Sequence, residues 1–70
     1  MTTKTIHVNG EEGRVAAETV EELLRGRGVP TDGRGIAVAV NGALVPRAEW
    51  RSTHLEAGDR VEIIRPVVGG

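Results

Sequence analysis

This chain has no cysteine, no phenylalanine and no tyrosine, and Trp50 is its single aromatic residue. Without cysteine there is no disulfide framework, no thiolate metal site and no catalytic thiol. Nine basic residues against ten acidic ones leave a formal charge of −1, with no basic block and no aromatics interleaved with arginine. A nucleic-acid platform needs both, so no nucleic-acid partner is expected. Lys4 is the only lysine, and Gly26 and Gly28 are followed by Val29-Pro30-Thr31, so neither a G-x-x-x-x-G-K-[ST] nor a G-x-G-x-x-G phosphate loop exists. No hydrophobic run approaches membrane-spanning length, and "MTTKTIHVNG" has no signal-peptide core. The expectation is a cytoplasmic protein without a membrane partner.

What is present suits one small domain. Seventy residues hold a single core, built here of Val, Ile, Leu and Ala. "KTIHV" alternates, with Ile6 and Val8 on one face, and Asn9-Gly10 after it is the strongest two-residue hairpin signal. "EEGRVA" returns as a second strand. A two-residue loop would set Val8 opposite Glu11, Ile6 opposite Gly13 and Lys4 opposite Val15. "ETVEELLRGRG" reads as a helix: Thr19 and Glu22 have capping-box spacing, and Val20, Leu23 and Leu24 form one apolar stripe. Glutamates crowd its start and arginines its end, as the helix dipole favours. Gly28 and Pro30 stop it.

"TDGRG" is a polar loop. "IAVAV" is apolar on both faces and predicts a strand covered on at least one side. Asn41-Gly42 repeats the hairpin signal, and "ALV" comes back until Pro46 ends the pairing. "RAEWRSTHLEAGD" is irregular, with a short helical turn expected around residues 48–52. "RVEII" is a last strand, with Val61 and Ile63 on one face and Arg60, Glu62 and Ile64 on the other. The order is strand, strand, helix, strand, short strand, strand, and the helix has one stripe to bury. This predicts an α+β, ubiquitin-like β-grasp fold: a mixed four- to five-stranded sheet packed on one helix. Residues 1–66 would form the domain and residues 67–70 a flexible C-terminal tail.

Catalytic machinery is not evident. His7 alternates with Ile6 and Val8 and is read as solvent-facing. His54 lies beside Ser52 and Thr53 but lacks an orienting partner, so a surface role is preferred over a nucleophile–base pair. The carboxylates are scattered or belong to the helix start. Trp50 is read as closing one end of the core, and Arg47 as an anchor or surface residue. A core this small spares little material for a pocket. A stand-alone enzyme is not expected.

The last six residues, "RPVVGG", are a different matter. Pro66 cannot continue a ladder, and the five residues from Pro66 to Gly70, fully extended, reach roughly 16 Å. Gly69 and Gly70 have no Cβ, so such a tail is slim enough for a narrow channel in another protein. The reactive group would be the terminal carboxylate. A carboxylate resists nucleophiles, but its mixed anhydride with AMP carries a good leaving group. A sulfur nucleophile would convert that anhydride to a thiocarboxylate, or a cysteine and then a lysine would take it into an isopeptide bond. A terminal Gly-Gly is also what a frayed end looks like. Against that, Val67 and Val68 precede it where a disordered tail is usually polar, and the body reads as β-grasp independently.

The stretches "TVEELL", "AVAVNGALVPRAEW", "AGDRVEII" and "VVGG" resemble the ThiS family, the sulfur carrier proteins of thiamine (thiazole) biosynthesis, across essentially the whole chain. Val45-Pro46-Arg47 with Trp50 three residues on is the most family-specific part; Pro66 and the "TDGRG" loop depart from the family pattern. The resemblance implies a carrier with Gly70 as the site of adenylation and thiocarboxylate formation, at the end of a tail of Val67, Val68 and Gly69. It implies three partners: a ThiF-like adenylyltransferase using Mg-ATP, a sulfur-relay persulfide donor, and thiazole synthase. The chain itself would bind no cofactor or metal. Ile64, Val67 and Val68 are expected to form the docking surface presented to partners, because an apolar strip leading into a tail is what docking needs. Three alternatives stand beside this one: a molybdopterin synthase small subunit, a ubiquitin-like protein modifier, and a β-grasp interaction module with an incidental tail.

Overall fold

The computed structural model describes residues 2–32 and 35–65. Five strands and one helix follow in the order β1 (Lys4–Val8), β2 (Glu11–Val15), α1 (Val20–Gly26), β3 (Ala37–Val40), β4 (Ala43–Val45) and β5 (Arg60–Ile64), with a 3₁₀ turn at Arg47–Glu49. They make one mixed sheet in the order β2-β1-β5-β3-β4. β5 lies in the middle, parallel to β1 and antiparallel to β3. This is the β-grasp arrangement, with five strands.

The first hairpin has the register its turn dictates: Val8 faces Glu11, Ile6 faces Gly13 and Lys4 faces Val15. Asn9 and Gly10 have φ of 51° and 83°, and Asn41 and Gly42 have 53° and 84°. Positive φ at both central positions is the tight-hairpin requirement that Asn-Gly meets at low cost.

The helix is shorter than its sequence pattern, and both ends are closed by specific bonds. Val20 N–H donates to Thr53 O and Glu21 N–H to Trp50 O. Glu22 N–H donates to Thr19 Oγ1 at 3.2 Å. The reciprocal bond lands one residue earlier than a standard capping box, with Glu18 N–H donating to Glu22 Oε1 at 3.2 Å. At the other end Gly28 N–H donates to Arg25 O and Val29 N–H to Leu24 O. With Gly28 at φ 73° this is a Schellman motif, which explains the stop before Pro30.

Val20, Leu23 and Leu24 bury against Ile6, Val8, Val38, Val45, Val61 and Ile63, with Val29, Trp50 and Leu55 completing the core. Trp50 is 1% exposed and its indole N–H donates to Val45 O at 2.9 Å. It therefore closes the core at the 3₁₀ turn and ties that turn to the end of β4. The expected helical turn around residues 48–52 sits slightly earlier and is 3₁₀, held by Glu49 N–H to Pro46 O and Trp50 N–H to Arg47 O.

Candidate functional site

Strand alternation places one set of side chains against the helix and the other on the open face of the sheet. Since Val38, Val45, Val61 and Ile63 point inward, Ala37, Ala39, Leu44, Glu62 and Ile64 point outward. Across this face Leu44 pairs with Ala39, Ala39 with Glu62, and Ala37 with Ile64. Leu44 is 70% exposed and Ile64 56%, and they are the large exposed hydrophobic residues among the described ones. Two alanines form a low floor on β3 between the two larger side chains. The result is a shallow apolar patch across β4, β3 and β5, at the edge where β5 hands the chain on to Arg65.

Ile64 is thus where the alternation of "RVEII" puts it, facing away from the core. Leu44 is a member of the same surface that the sequence reading left out. Its signal was available: the Asn41-Gly42 turn sets Val40 opposite Ala43, which forces Leu44 opposite Ala39 on the outer face. In a three-residue strand of apolar residues there is no alternation to reveal this without the turn. Pro66, Val67, Val68, Gly69 and Gly70 lie outside the described residues, so the tail half of the expected docking surface and the expected reaction site at Gly70 do too. The boundary between the 1–66 and 67–70 segments falls in the same stretch.

Towards β1 and β2 the outer face turns polar. His7 pairs across β1 and β2 with Glu12 and across β1 and β5 with Arg60. Its imidazole is half-buried rather than free in solvent: Nε2 lies 3.7 Å from Glu12 Oε1, and Nδ1 is buried without a hydrogen-bond partner. His54 is exposed, in an isolated antiparallel bridge with Thr19. Among the described residues, the structure does not bring the two histidines into one site, nor pair either with an oriented nucleophile. Among the described residues no group of three or more His, Asp or Glu side chains could hold a metal ion. None of the described helices is long and apolar enough to cross a membrane. Arg47 is exposed at the start of the 3₁₀ turn.

Two comparisons with solved structures place this architecture. A crystal structure of a thiamine biosynthesis protein (ThiS) from Geobacter metallireducens superposes with a TM-score of 0.76 at 32% identity, over 94% of this chain and 99% of that one. A solution NMR structure of a thiamine biosynthesis protein from the same organism gives a TM-score of 0.76 at 29% identity, over 94% and 87%. Among curated proteins, a thiazole synthase from Paramagnetospirillum magneticum is 39% identical over 64 residues, which is 90% of this chain but 19% of that protein. The chain therefore spans about a fifth of that relative's length. The model of the ThiS family matches residues 6–70, from the first buried residue of β1 through the Gly-Gly pair. On sequence and fold together, this chain belongs to the ThiS family of sulfur carriers.

Proposed function

We propose that this chain is a protein cosubstrate of thiamine biosynthesis, not an enzyme, whose Gly70 carboxylate is the reacting group. A ThiF-like adenylyltransferase would join that carboxylate to AMP from Mg-ATP, releasing pyrophosphate. The terminal sulfur of a persulfide donor would then attack the acyl carbon and expel AMP. A second thiol would reduce the resulting acyl disulfide, leaving the thiocarboxylate on Gly70. Thiazole synthase would take sulfur from it to build the thiazole phosphate ring. Mg-ATP belongs to the activating partner, and the chain binds no cofactor of its own.

The observation that carries this reading is that the family match runs through Gly70, so the Gly-Gly pair lies inside the matched pattern and not beyond it. The likeness of a segment of a thiazole synthase supports the choice of acceptor. The outer patch of Leu44 and Ile64 supports a docking role for the body. Such a division suits a carrier: the sheet supplies affinity while a slim tail enters the partner's channel.

The test is intact-protein mass spectrometry after incubation with a ThiF-like enzyme, Mg-ATP and a persulfide donor. Replacement of one oxygen by sulfur, localised to Gly70, is the expected result, and deletion of Gly70 should abolish it. An unchanged mass with a demonstrably active enzyme would reject the carrier reading. Lysine-linked adducts would instead favour a protein modifier.

A further inference from the structure

The two Asn-Gly turns do more than reverse the chain. In a regular parallel ladder, Asn9 would donate its N–H to Val61 O and accept from Ile63 N–H with its own carbonyl. The first bond is present at 2.9 Å. The second is not available to the carbonyl, because φ of 51° at Asn9 turns it into the hairpin. Instead Asn9 Oδ1 accepts from Ile63 N–H at 2.8 Å. The side-chain amide stands in for the residue's own displaced carbonyl. Asn41 repeats the device at the other end of β5: its N–H donates to Arg60 O at 2.7 Å, while Arg60 N–H donates to Asn41 Oδ1 at 2.9 Å.

β1 pairs with β5 only at His7–Arg60 and Val8–Val61. Beyond Val61, β5 keeps β3 on one side, and on the β1 side the bond to Ile63 comes from the Asn9 side chain. Ile63 is buried, and the next residue is the exposed Ile64 of the docking patch. Glycine would satisfy the backbone requirement of the turn equally well. It would leave the Ile63 N–H, in a partly buried place, without this acceptor.

We propose that Asn9 is a positioning residue for the carrier reaction: by holding Ile63 it fixes the direction of β5 where the strand presents Ile64 to the activating enzyme. This rests on the carrier reading above. Asn9→Gly keeps the turn and removes the acceptor, Asn9→Asp keeps an acceptor oxygen, and Asn41→Gly, which also removes the Asn41 Nδ2 bond to Asp59 Oδ1, is the more severe control at the far end of the strand.

Hydrogen exchange and carrier-dependent adenylation kinetics, both well below the melting temperature, test it. In the unmodified chain the Ile63 amide should be protected. In Asn9→Gly its exchange should rise on the order of tenfold, the scale of one lost hydrogen bond. Turnover at saturating Asn9→Gly carrier should fall roughly three- to tenfold, from fewer complexes docked in the productive register. Asn9→Asp should recover most of that loss, and Asn41→Gly should leave turnover unchanged. Full turnover by Asn9→Gly, an equal loss in Asn41→Gly, or an unprotected Ile63 amide in the unmodified chain would each overturn the proposal. Should the unmodified chain itself not be adenylated, the carrier reading fails and the positioning role with it, while the exchange rates still decide whether the clamp exists.

Discussion

Removing the apolar patch while leaving the fold intact separates a docking surface from incidental exposure. Leu44 and Ile64 are 70% and 56% exposed, so little of either side chain contributes to the core. Burying a whole Leu or Ile side chain is worth about 1.5–3 kcal/mol, so the exposed part of each offers about 1–2 kcal/mol to a partner that covers it. At 1.4 kcal/mol per factor of ten, truncation of either to alanine should raise the carrier KM of a ThiF-like enzyme roughly 4- to 30-fold. The two residues stand two strands apart and two positions out of line, about 12 Å, so the effects should nearly multiply in the double variant. Leu44→Asp should act more strongly than Leu44→Ala, since docking would desolvate a carboxylate. The assay is pyrophosphate release against carrier concentration, with thermal melting of each variant as the control. KM unchanged in Leu44→Ala, Ile64→Ala and the double variant, with unaltered melting, would refute the surface assignment.

Other consequences fall on the body of the protein. Trp50→Phe leaves the buried Val45 carbonyl without its indole donor and should lose about 1–3 kcal/mol of unfolding free energy by urea titration. Gly28→Ala meets no atom within 4 Å, so its cost is the left-handed backbone alone, about 1–2 kcal/mol, and a larger loss would show a hidden steric clash. Thr19→Ala removes the side-chain acceptor for Glu22 N–H and should cost about 1 kcal/mol, visible as a lower melting temperature with adenylation unaffected below the transition.

Much of this architecture could be read in advance where a local rule has only one solution. Asn-Gly at residues 9–10 fixes the register of Ile6, Val8 and Val15, and the stripe of Val20, Leu23 and Leu24 defines the buried side of the helix. Ile64 was placed on the outer face by the alternation of five residues. Leu44 is not marked by alternation, because "ALV" has no polar residue to mark a face, and only the register of the Asn41-Gly42 turn assigns it. The roles of Asn9 and Asn41 were also hidden. Sequence shows the demand for positive φ but not that β5, far along the chain, runs past the amide. The same long-range gap concealed the strand order, since hydrophobic pattern says which side of a strand is buried and not which strand lies beside it. The tail was legible only as chemistry and resemblance.

The central place of β5 also bears on how the domain comes into being. β1 with β2 and β3 with β4 are local hairpins, each closed by a two-residue turn and able to form within microseconds. Neither touches the other in the sheet; they are joined only when β5 slides between them, pairing Arg60 with His7 across about fifty residues of chain. That closure carries most of the loop entropy and should set the folding rate, with the transition state formed around Val61 and Ile63. On a ribosome, the two hairpins would wait as separate pieces until β5 emerged from the exit tunnel. The strand that completes the fold is then the same one that leads to the proposed reaction site, so a chain cut short before it would have neither a closed sheet nor that site.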